Sequence, residues 1–350
     1  MLVLLGSVLL TVSLILPIRN EAAYIQNGLE AVLGQDYPSD KVEVIVVDGM
    51  SDDATREIVC EVMASNPDRR IQLLDNPARV VPPALNIAVR AATGAIVARM
   101  DGHAKMAPDY IRQCVDAMER TGADGVGGVI ETVGGSYVAR GIARAQSSLF
   151  GVGGAGFRTG RAEGAFVDTV AFPAYRREVF DRIGGFDEEM HLNEDDEFNF
   201  RLTQSGGRIW LDPAIRSEYY SRASLRKLWR QYYWYGLYRP LLMQKGGGVP
   251  SWRHLVPGGF VLGLVLSAAV ALATGQPLWL LAVAGPYALA NLAASLWTAR
   301  GAWRTLPLLP VAFSILHLAY GLGFLVGLWC WRKGWGRREM VPPPTSVSTR

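Results

Sequence analysis

Along the 350-residue chain the rhythm of hydrophobic and polar positions changes twice. In the first third, short apolar runs alternate with stretches of helical period. Val12–Pro17, Val42–Val47, Ile71–Leu74 and Ala95–Met100 read as buried strands, and helical patterns follow each, around Ala22–Leu33, Asp53–Ala64, Pro82–Ala92 and Pro108–Arg120. This β–α alternation predicts an α/β fold with a mostly parallel sheet covered by helices. Such sheets bind ligands at the carboxyl ends of their strands. Polar clusters fall there: Arg19-Asn20-Glu21 after the first strand, Asp48-Gly49 after the second and Asp101-Gly102-His103 after the fourth.

In the middle, after Gly125–Val133, the pattern becomes irregular and glycine-rich from Gly151 to Gly164, which reads as a mobile loop or a linker. Around Ser224–Tyr238 a helical pattern carries Trp229, Tyr232, Tyr233, Trp234, Tyr235 and Tyr238 among basic residues. Aromatic and basic residues together suit a helix lying in a membrane interface, or an aromatic patch packed on the globular domain. In the last third, Leu255–Ala299 and Thr305–Trp331 contain no Asp, Glu, Lys or Arg. A bilayer-spanning helix takes roughly 20 apolar residues, so three spans are expected, at Val256–Thr274, Leu278–Trp297 and Leu306–Trp329. The chain thus divides into an apolar extension (1–11), an α/β domain (12–221), an aromatic–basic segment (222–254), membrane segments (255–331) and a polar tail (332–350).

Charge narrows the choices. The net charge of +3 and the lack of a basic stripe give no sign of a nucleic-acid partner. Basic residues gather beside the membrane tracts instead: Arg222, Arg226, Lys227, Arg230, Arg239 and Lys245 before them, Arg332, Lys333, Arg337 and Arg338 after. That distribution predicts an N-terminal domain on the cytoplasmic face of the membrane. Three spans would then export the basic tail, so the tract Val256–Thr274, entered through Pro257-Gly258-Gly259, is expected to be re-entrant or interfacial. Cys60, Cys114 and Cys330 have no spacing that points to a disulfide framework or a zinc site.

The densest chemistry is in Asn193-Glu194-Asp195-Asp196-Glu197-Phe198-Asn199-Phe200-Arg201-Leu202. Four consecutive carboxylates cannot all be buried unpaired, yet the phenylalanines and Leu202 head into a core. The run is either a positioned base or metal site, or a helix start with acidic residues matched to the helix dipole.

Four motifs in order resemble family 2 glycosyltransferases: Leu16-Pro17-Ile18-Arg19-Asn20-Glu21, Val46-Val47-Asp48-Gly49 with Ser51-Asp52-Asp53-Ala54-Thr55, Arg99-Met100-Asp101-Gly102-His103, and Glu194-Asp195-x-Glu197-Phe198-x-x-Arg201-Leu202. With the membrane tail, the chain looks most like bacterial exopolysaccharide enzymes of the succinoglycan type. The resemblance implies a GT-A fold and an inverting hexosyltransferase. Such an enzyme moves a sugar, most often glucose, from a nucleotide sugar such as UDP-glucose to a polyprenyl-diphosphate-linked glycan.

It also implies roles. Pro17, Arg19, Glu21, Asp48, Asn86, Arg99 and Asp101 would hold the donor, with Asp48 accepting the uracil imide N–H and Asn86 in a loop closing on the nucleotide. Asp101 and His103 would hold a divalent cation, Mn²⁺ or Mg²⁺, His103 standing where the family carries a second Asp. Asp195 would be the catalytic base, and Glu194, Asp168, Arg201 and Gln231 would meet the acceptor. Gln231-Tyr232-Tyr233-Trp234-Tyr235 departs from the Gln-x-x-Arg-Trp of polymerising synthases, which weakens the alternative of a processive synthase. A catalytically inactive nucleotide-binding scaffold is the alternative of a different class.

Overall fold

The computed structural model describes residues 9–332 apart from His103, Arg161, Gly247 and Pro250. In chain order its strands and helices are β1 (Val12–Ile18), α1 (Ile25–Leu33), β2 (Val42–Asp48), α2 (Thr55–Ser65), β3 (Arg70–Asp75), α3 (Val81–Ala91), β4 (Ile96–Arg99), β5 (Ala104–Met106), α4 (Tyr110–Thr121), β6 (Gly125–Val133), α5 (Tyr137–Gln146), α6 (Leu149–Val152), α7 (Gly156–Thr159), β7 (Ala165–Val167), β8 (Ala171–Arg176), α8 (Arg177–Ile183), α9 (Glu194–Gln204), β9 (Ile209–Tyr220), α10 (Leu225–Lys245), α11 (Val256–Thr274), α12 (Leu278–Thr298) and α13 (Leu309–Arg332).

The strands form one mixed sheet in the order β3-β2-β1-β4-β8-β6-β9-β5, with β7 paired to β9. β1 lies parallel between β2 and β4, with Ile15 opposite Ile45 on one side and Arg99 on the other. Its apolar run is buried on both faces, as a central parallel strand requires. At β8 the pairing turns antiparallel, to β4 on one side and to β6 on the other, so the sheet is mixed. At Gly128 a Cβ would overlap the backbone of Ile215, and glycine is what lets β6 come that close.

The chain falls into two compact units. The first comprises Met1–Val129, Arg161–Glu188 and Arg201–Glu218, the second Ile130–Gly160, Glu189–Phe200 and Tyr219–Arg350. This division differs from a single cut near residue 221: two segments of the expected α/β domain, one of them holding the acidic run, cluster with the membrane-length helices.

The first unit carries most of the sheet and its covering helices. The core of the second joins Ile142 and Ala145 of α5 and Leu228 and Tyr232 of α10 to Phe313, Leu316, Tyr320 and Phe324 of α13. The aromatic helix expected at an interface or on the globular domain is packed on α13. Tyr232 and Tyr238 are buried, and α10 packs backbone to backbone on α13. A Cβ at Gly236 would overlap the Tyr320 carbonyl, and one at Gly323 the Tyr233 carbonyl.

Three helical segments, Trp252–Thr274, Leu278–Thr298 and Trp303–Arg332, are long and apolar enough to cross a membrane. Val256–Thr274 is one unbroken helix, with no break of the kind a re-entrant segment needs. The glycine-rich stretch holds the short helices α6 and α7, and Gly151 is packed so tightly that a Cβ would strike the Ala145 carbonyl. The basic tail beyond Arg332 and the extension before Leu9 lie outside the described residues.

Candidate active site

In the first unit the chemistry collects at the carboxyl ends of β1, β2 and β4. Asp48 ends β2 and is 1% exposed. Its Oδ1 accepts from Ser51 Oγ at 2.5 Å, both its oxygens lie 3.2 Å from the Ser51 N–H, and Arg56 Nη1 stands 3.3 Å from Oδ2. The loop after β1 is stitched to the same turn. The Asn20 N–H donates to Ser51 Oγ at 2.9 Å, the Glu21 N–H to Thr55 Oγ1 at 2.7 Å, and the Asp52 N–H to Asn20 Oδ1 at 3.0 Å. Asn20 at φ +54 and Met50 at φ +56 are in the left-handed region, a strain that such a network holds in place. Burial pushes the Asp53 carboxyl up, but hydrogen bonds from Thr55 and the Ala22 N–H outweigh it and leave its pKa below the ordinary value.

The expected donor residues meet here. A Cβ on Gly49 would sit 3.2 Å from the Arg19 side chain, and one on Gly102 would sit 3.2 Å from Glu21 Cγ. Pro17 pairs in register with Val47. Arg99, buried at the end of β4, donates from Nε to Asp101 Oδ1 at 3.0 Å, and the Asp101 side chain is 23% exposed. His103 lies outside the described residues. Asp168 follows β7 and is partly buried.

One expectation is corrected. Asn86 lies inside α3 rather than in a loop. Its Nδ2 donates to the Phe186 carbonyl and to Glu188 Oε1, both at 2.9 Å, and its Oδ1 accepts from the Phe186 N–H at 2.8 Å. Arg201, expected to meet the acceptor, clamps the Ile183-Gly184-Gly185 turn through the carbonyls of Ile183 and Gly185. In both, a polar side chain is committed to shaping the backbone around Phe186.

In the second unit the acidic run opens α9. Asn193, at φ +61 and buried, donates from Nδ2 to the Tyr235 carbonyl at 3.2 Å. Residues three apart share a helix face, and the four carboxylates divide accordingly. Glu194 and Glu197 are buried, each 6% exposed, whereas Asp195 and Asp196 are only partly buried. The Asp196 N–H donates to Asp195 Oδ1 at 2.9 Å, so the first helical turn fixes this carboxylate where the helix dipole favours its charged form. Asp196 itself pairs with Arg239 Nη2 at 2.6 Å, and Arg239 Nε donates to Tyr320 Oη at 3.1 Å. Burial pulls the Arg239 pKa down, but Tyr320 and Asp196 more than offset this, and it stands above the ordinary arginine value.

Gln231 is buried and donates from Nε2 to Tyr235 Oη at 2.9 Å. Beside these residues stand Arg158 and Tyr219, which no motif in the sequence singles out. Arg158 Cζ lies 5.4 Å from the centroid of the Tyr219 ring. Asp48 and Asp101 thus belong to the first unit, and Asp195, Glu194 and Gln231 to the second.

The model of glycosyl transferase family 2 matches residues 13–184, a span that includes the ends of β1, β2 and β4. The succinoglycan biosynthesis protein ExoA of Rhizobium meliloti is 35% identical over 316 residues, 89% of this chain and 93% of that protein. A Methanococcus voltae enzyme, dolichyl N-acetyl-alpha-D-glucosaminyl phosphate 3-beta-D-2,3-diacetamido-2,3-dideoxy-beta-D-glucuronosyltransferase, is 30% identical over 73% of this chain and 80% of its own length. The mannosyltransferase PcManGT of Pyrobaculum calidifontis, solved with GDP-Man and Mn²⁺, superposes with a TM-score of 0.59 at 23% identity, over 92% of this chain and 88% of that one. Its likeness carries the fold, a GT-A glycosyltransferase sheet with helices added at the C-terminus. With two relatives at 30% identity or more over most of their lengths, the chain belongs to glycosyltransferase family 2.

Proposed function

We propose that this glycosyltransferase moves a glucosyl residue from UDP-glucose to a sugar hydroxyl on a polyprenyl-diphosphate-linked glycan, with inversion, at the cytoplasmic face of an inner membrane. One observation carries the reading. Asp195, on the first turn of α9, belongs to the same compact unit as three membrane-length helices. A base that serves a lipid-linked acceptor has to be built onto the part of the chain that meets the bilayer. The Methanococcus relative, named for a dolichyl-phosphate-linked acceptor, supports the same substrate class.

In this reading an ionised Asp195 takes the proton of the acceptor hydroxyl while that oxygen attacks the anomeric carbon of the donor. The new C–O bond forms opposite the bond to the nucleoside diphosphate, which leaves with its electron pair, so one displacement inverts the centre. Asp48, held rigid by Ser51, accepts the uracil imide N–H, and Pro17, Arg19 and Glu21 line the nucleoside. The Asp101 carboxylate suits a hard divalent cation: it supplies oxygen ligands, is accessible, and has its orientation set by Arg99. Asp101 and His103 would hold Mn²⁺ or Mg²⁺, which when bound offsets charge on the diphosphate.

Labelled nucleotide sugars, tested with membranes and defined lipid-linked acceptors, decide the matter. UDP-glucose and a diphosphate-linked acceptor should give a product of inverted anomeric configuration. Transfer from another donor alone, or retention of configuration, overturns the corresponding part of the reading.

A further inference from the structure

The second unit contains a polar cage that the transfer step above leaves unused. Arg158, in the one-turn α7, rests its guanidinium over Tyr219, 5.4 Å from the ring centroid, and against Phe157 at 5.5 Å. Tyr232, Tyr219, Tyr235 and Asp195 are all close enough to act on its charge. Gln231 ties two of these rings together, with Nε2 3.4 Å from Tyr219 Oη and 2.9 Å from Tyr235 Oη. Gln146 closes the far side, 3.3 Å from Tyr232 Oη, and the Tyr232 and Tyr235 rings meet edge-on at 5.6 Å. Burial raises the pKa of Tyr232 and Tyr235, so their hydroxyls stay neutral and Asp195 is the anionic group among these neighbours.

Polar atoms are left over inside this cage. Arg158 Nη1 is buried with no hydrogen-bond partner among the described residues, and so are Gln231 Oε1 and Gln146 Oε1. Whichever way each amide is turned, a tyrosine hydroxyl takes one of its polar atoms and leaves the other. Burying such groups unanswered is costly, and where a structure keeps them a ligand is the economical explanation. The leftovers name its chemistry. A guanidinium N–H asks for an anionic oxygen, and an amide oxygen beside it asks for a hydroxyl. A sugar phosphate offers both.

The surroundings say what else the ligand carries. Leu149 of α6 is 71% exposed and Trp252 is 76% exposed. A Cβ on Gly153, at the end of α6, would sit 3.5 Å from the Arg253 side chain, next to Trp252. His317 of α13 holds the Phe150 carbonyl at 2.8 Å, which fixes this apolar rim to a membrane-length helix. Glycines at positive φ, Gly153 and Gly154 before α7 and Gly160 after it, give the Arg158 segment hinges on both sides.

We propose that this cage is the phosphate subsite of the acceptor: Arg158 binds a phosphate oxygen of a lipid-linked sugar phosphate, Gln231 receives a hydroxyl of its sugar, and the hydrocarbon leaves over Leu149 and Trp252. The proposal rests on the acceptor being lipid-phosphate-linked, as read above, and adds that the enzyme recognises the phosphate itself through Arg158.

The test is calorimetric titration of the full chain in detergent with UDP saturating. Farnesyl diphosphate and farnesol serve as probes. The wild type should bind farnesyl diphosphate more tightly than farnesol, and Arg158→Gln should weaken the diphosphate alone by about 10–100-fold, the worth of a charge-assisted hydrogen bond. UDP affinity reports that the variant is folded. An Arg158→Gln protein that binds UDP yet keeps the wild-type preference overturns the proposal, as does a wild type with no preference. Should Arg158→Gln fail to fold, Arg158→Lys decides. Lysine offers a point charge without the planar fork, so a several-fold loss of diphosphate affinity supports the subsite and an unchanged affinity sinks it. Transfer assays separate this from the reading beneath it. Equal wild-type transfer to one sugar on a polyprenyl diphosphate and on a neutral alkyl chain removes the lipid-diphosphate acceptor. Selective transfer that Arg158→Gln leaves equally selective removes only the cage.

Discussion

At the carboxyl ends of β1 and β2, three polar side chains are held by the protein itself: Asp48 by Ser51 and Arg56, Asn20 by Ser51 and Asp52, Asp53 by Thr55. Arg158, Gln231 and Gln146 each keep one buried polar atom with no hydrogen-bond partner among the described residues. Both are polar clusters beside a hydrophobic core, and the contrast separates two ways of preparing for a substrate. In the proposed reading, the first would give a nucleotide a preformed surface. The second would keep hydrogen-bonding capacity in reserve for a ligand that brings its own charge and hydroxyls.

Mutations that break one cluster should therefore leave the other's ligand untouched. The largest effect is expected at Asp195→Asn, which cannot take a proton. Turnover should fall about 10²–10⁴-fold, the usual worth of a positioned general base, with UDP-sugar affinity close to wild type. Single-turnover kinetics beside nucleotide titration checks this. A variant that keeps more than about a tenth of its turnover places the base elsewhere, with Asp196 next in line.

Removing the partner of Arg239 tests the second unit's framework. Asp196→Ala leaves a guanidinium that is 5% exposed without its carboxylate. Loss of one partner of a buried pair costs about 3–5 kcal/mol, less here because Asp196 is partly exposed. Thermal unfolding of the detergent-solubilised protein should show a clearly lowered midpoint, and an unchanged one would mean that solvent already screens the pair.

Asp48→Ala sharpens the contrast from the other side. It should weaken UDP binding about 10–100-fold, the worth of a hydrogen bond to a charged group. The kcat of the saturated enzyme should change far less, and a loss confined to kcat would contradict a donor-binding role.

The smallest expected effect is one of pH. Glu43 and Asp53, both in the first unit, titrate below their ordinary values. In each, burial pushes upward and is outweighed by hydrogen bonds, from Ser13 and Thr93 to Glu43 and from Thr55 to Asp53. A carboxylate with a lowered folded pKa adds stability above its unfolded value and loses it as pH falls through the folded one. The first unit should thus weaken below about pH 4, as followed by hydrogen exchange, and Glu43→Gln should flatten that limb.

The sequence made the first unit far more legible than the second. Apolar runs of strand length followed by helical periods place β1 to β4 within a few residues, because a parallel strand buried on both faces leaves a continuous apolar signature. Beyond β4 the signature is weaker, and β5 to β9 have no counterpart among the expected strands. Of the site residues, Asp48, Asp101 and Asp195 stand in contiguous motifs. The bonds that Asn86 and Arg201 make to the backbone around Phe186 were not legible, because a side chain's hydrogen-bond partners are set by tertiary neighbours. The aromatic run of α10 has one composition whether it lies on a membrane or packs on another helix, and only the close approach at glycines 236 and 323 shows its packing on α13. Arg158 carries no motif, and its significance rests on partners 61 to 77 positions further along the chain.

The glycine-mediated seam between α10 and α13 bears on how this enzyme can be handled. Where two backbones are close enough that a single methyl group would part them, neither helix keeps its shape when the other is cut away. A soluble fragment ending before the hydrocarbon-length helices would lose the surface that positions α10, and with it the Tyr235 carbonyl that holds Asn193 and the Arg239 that holds Asp196. The membrane-length helices are thus a structural wall of the unit that carries the acidic run, and purification in detergent or nanodiscs is the route to an active enzyme.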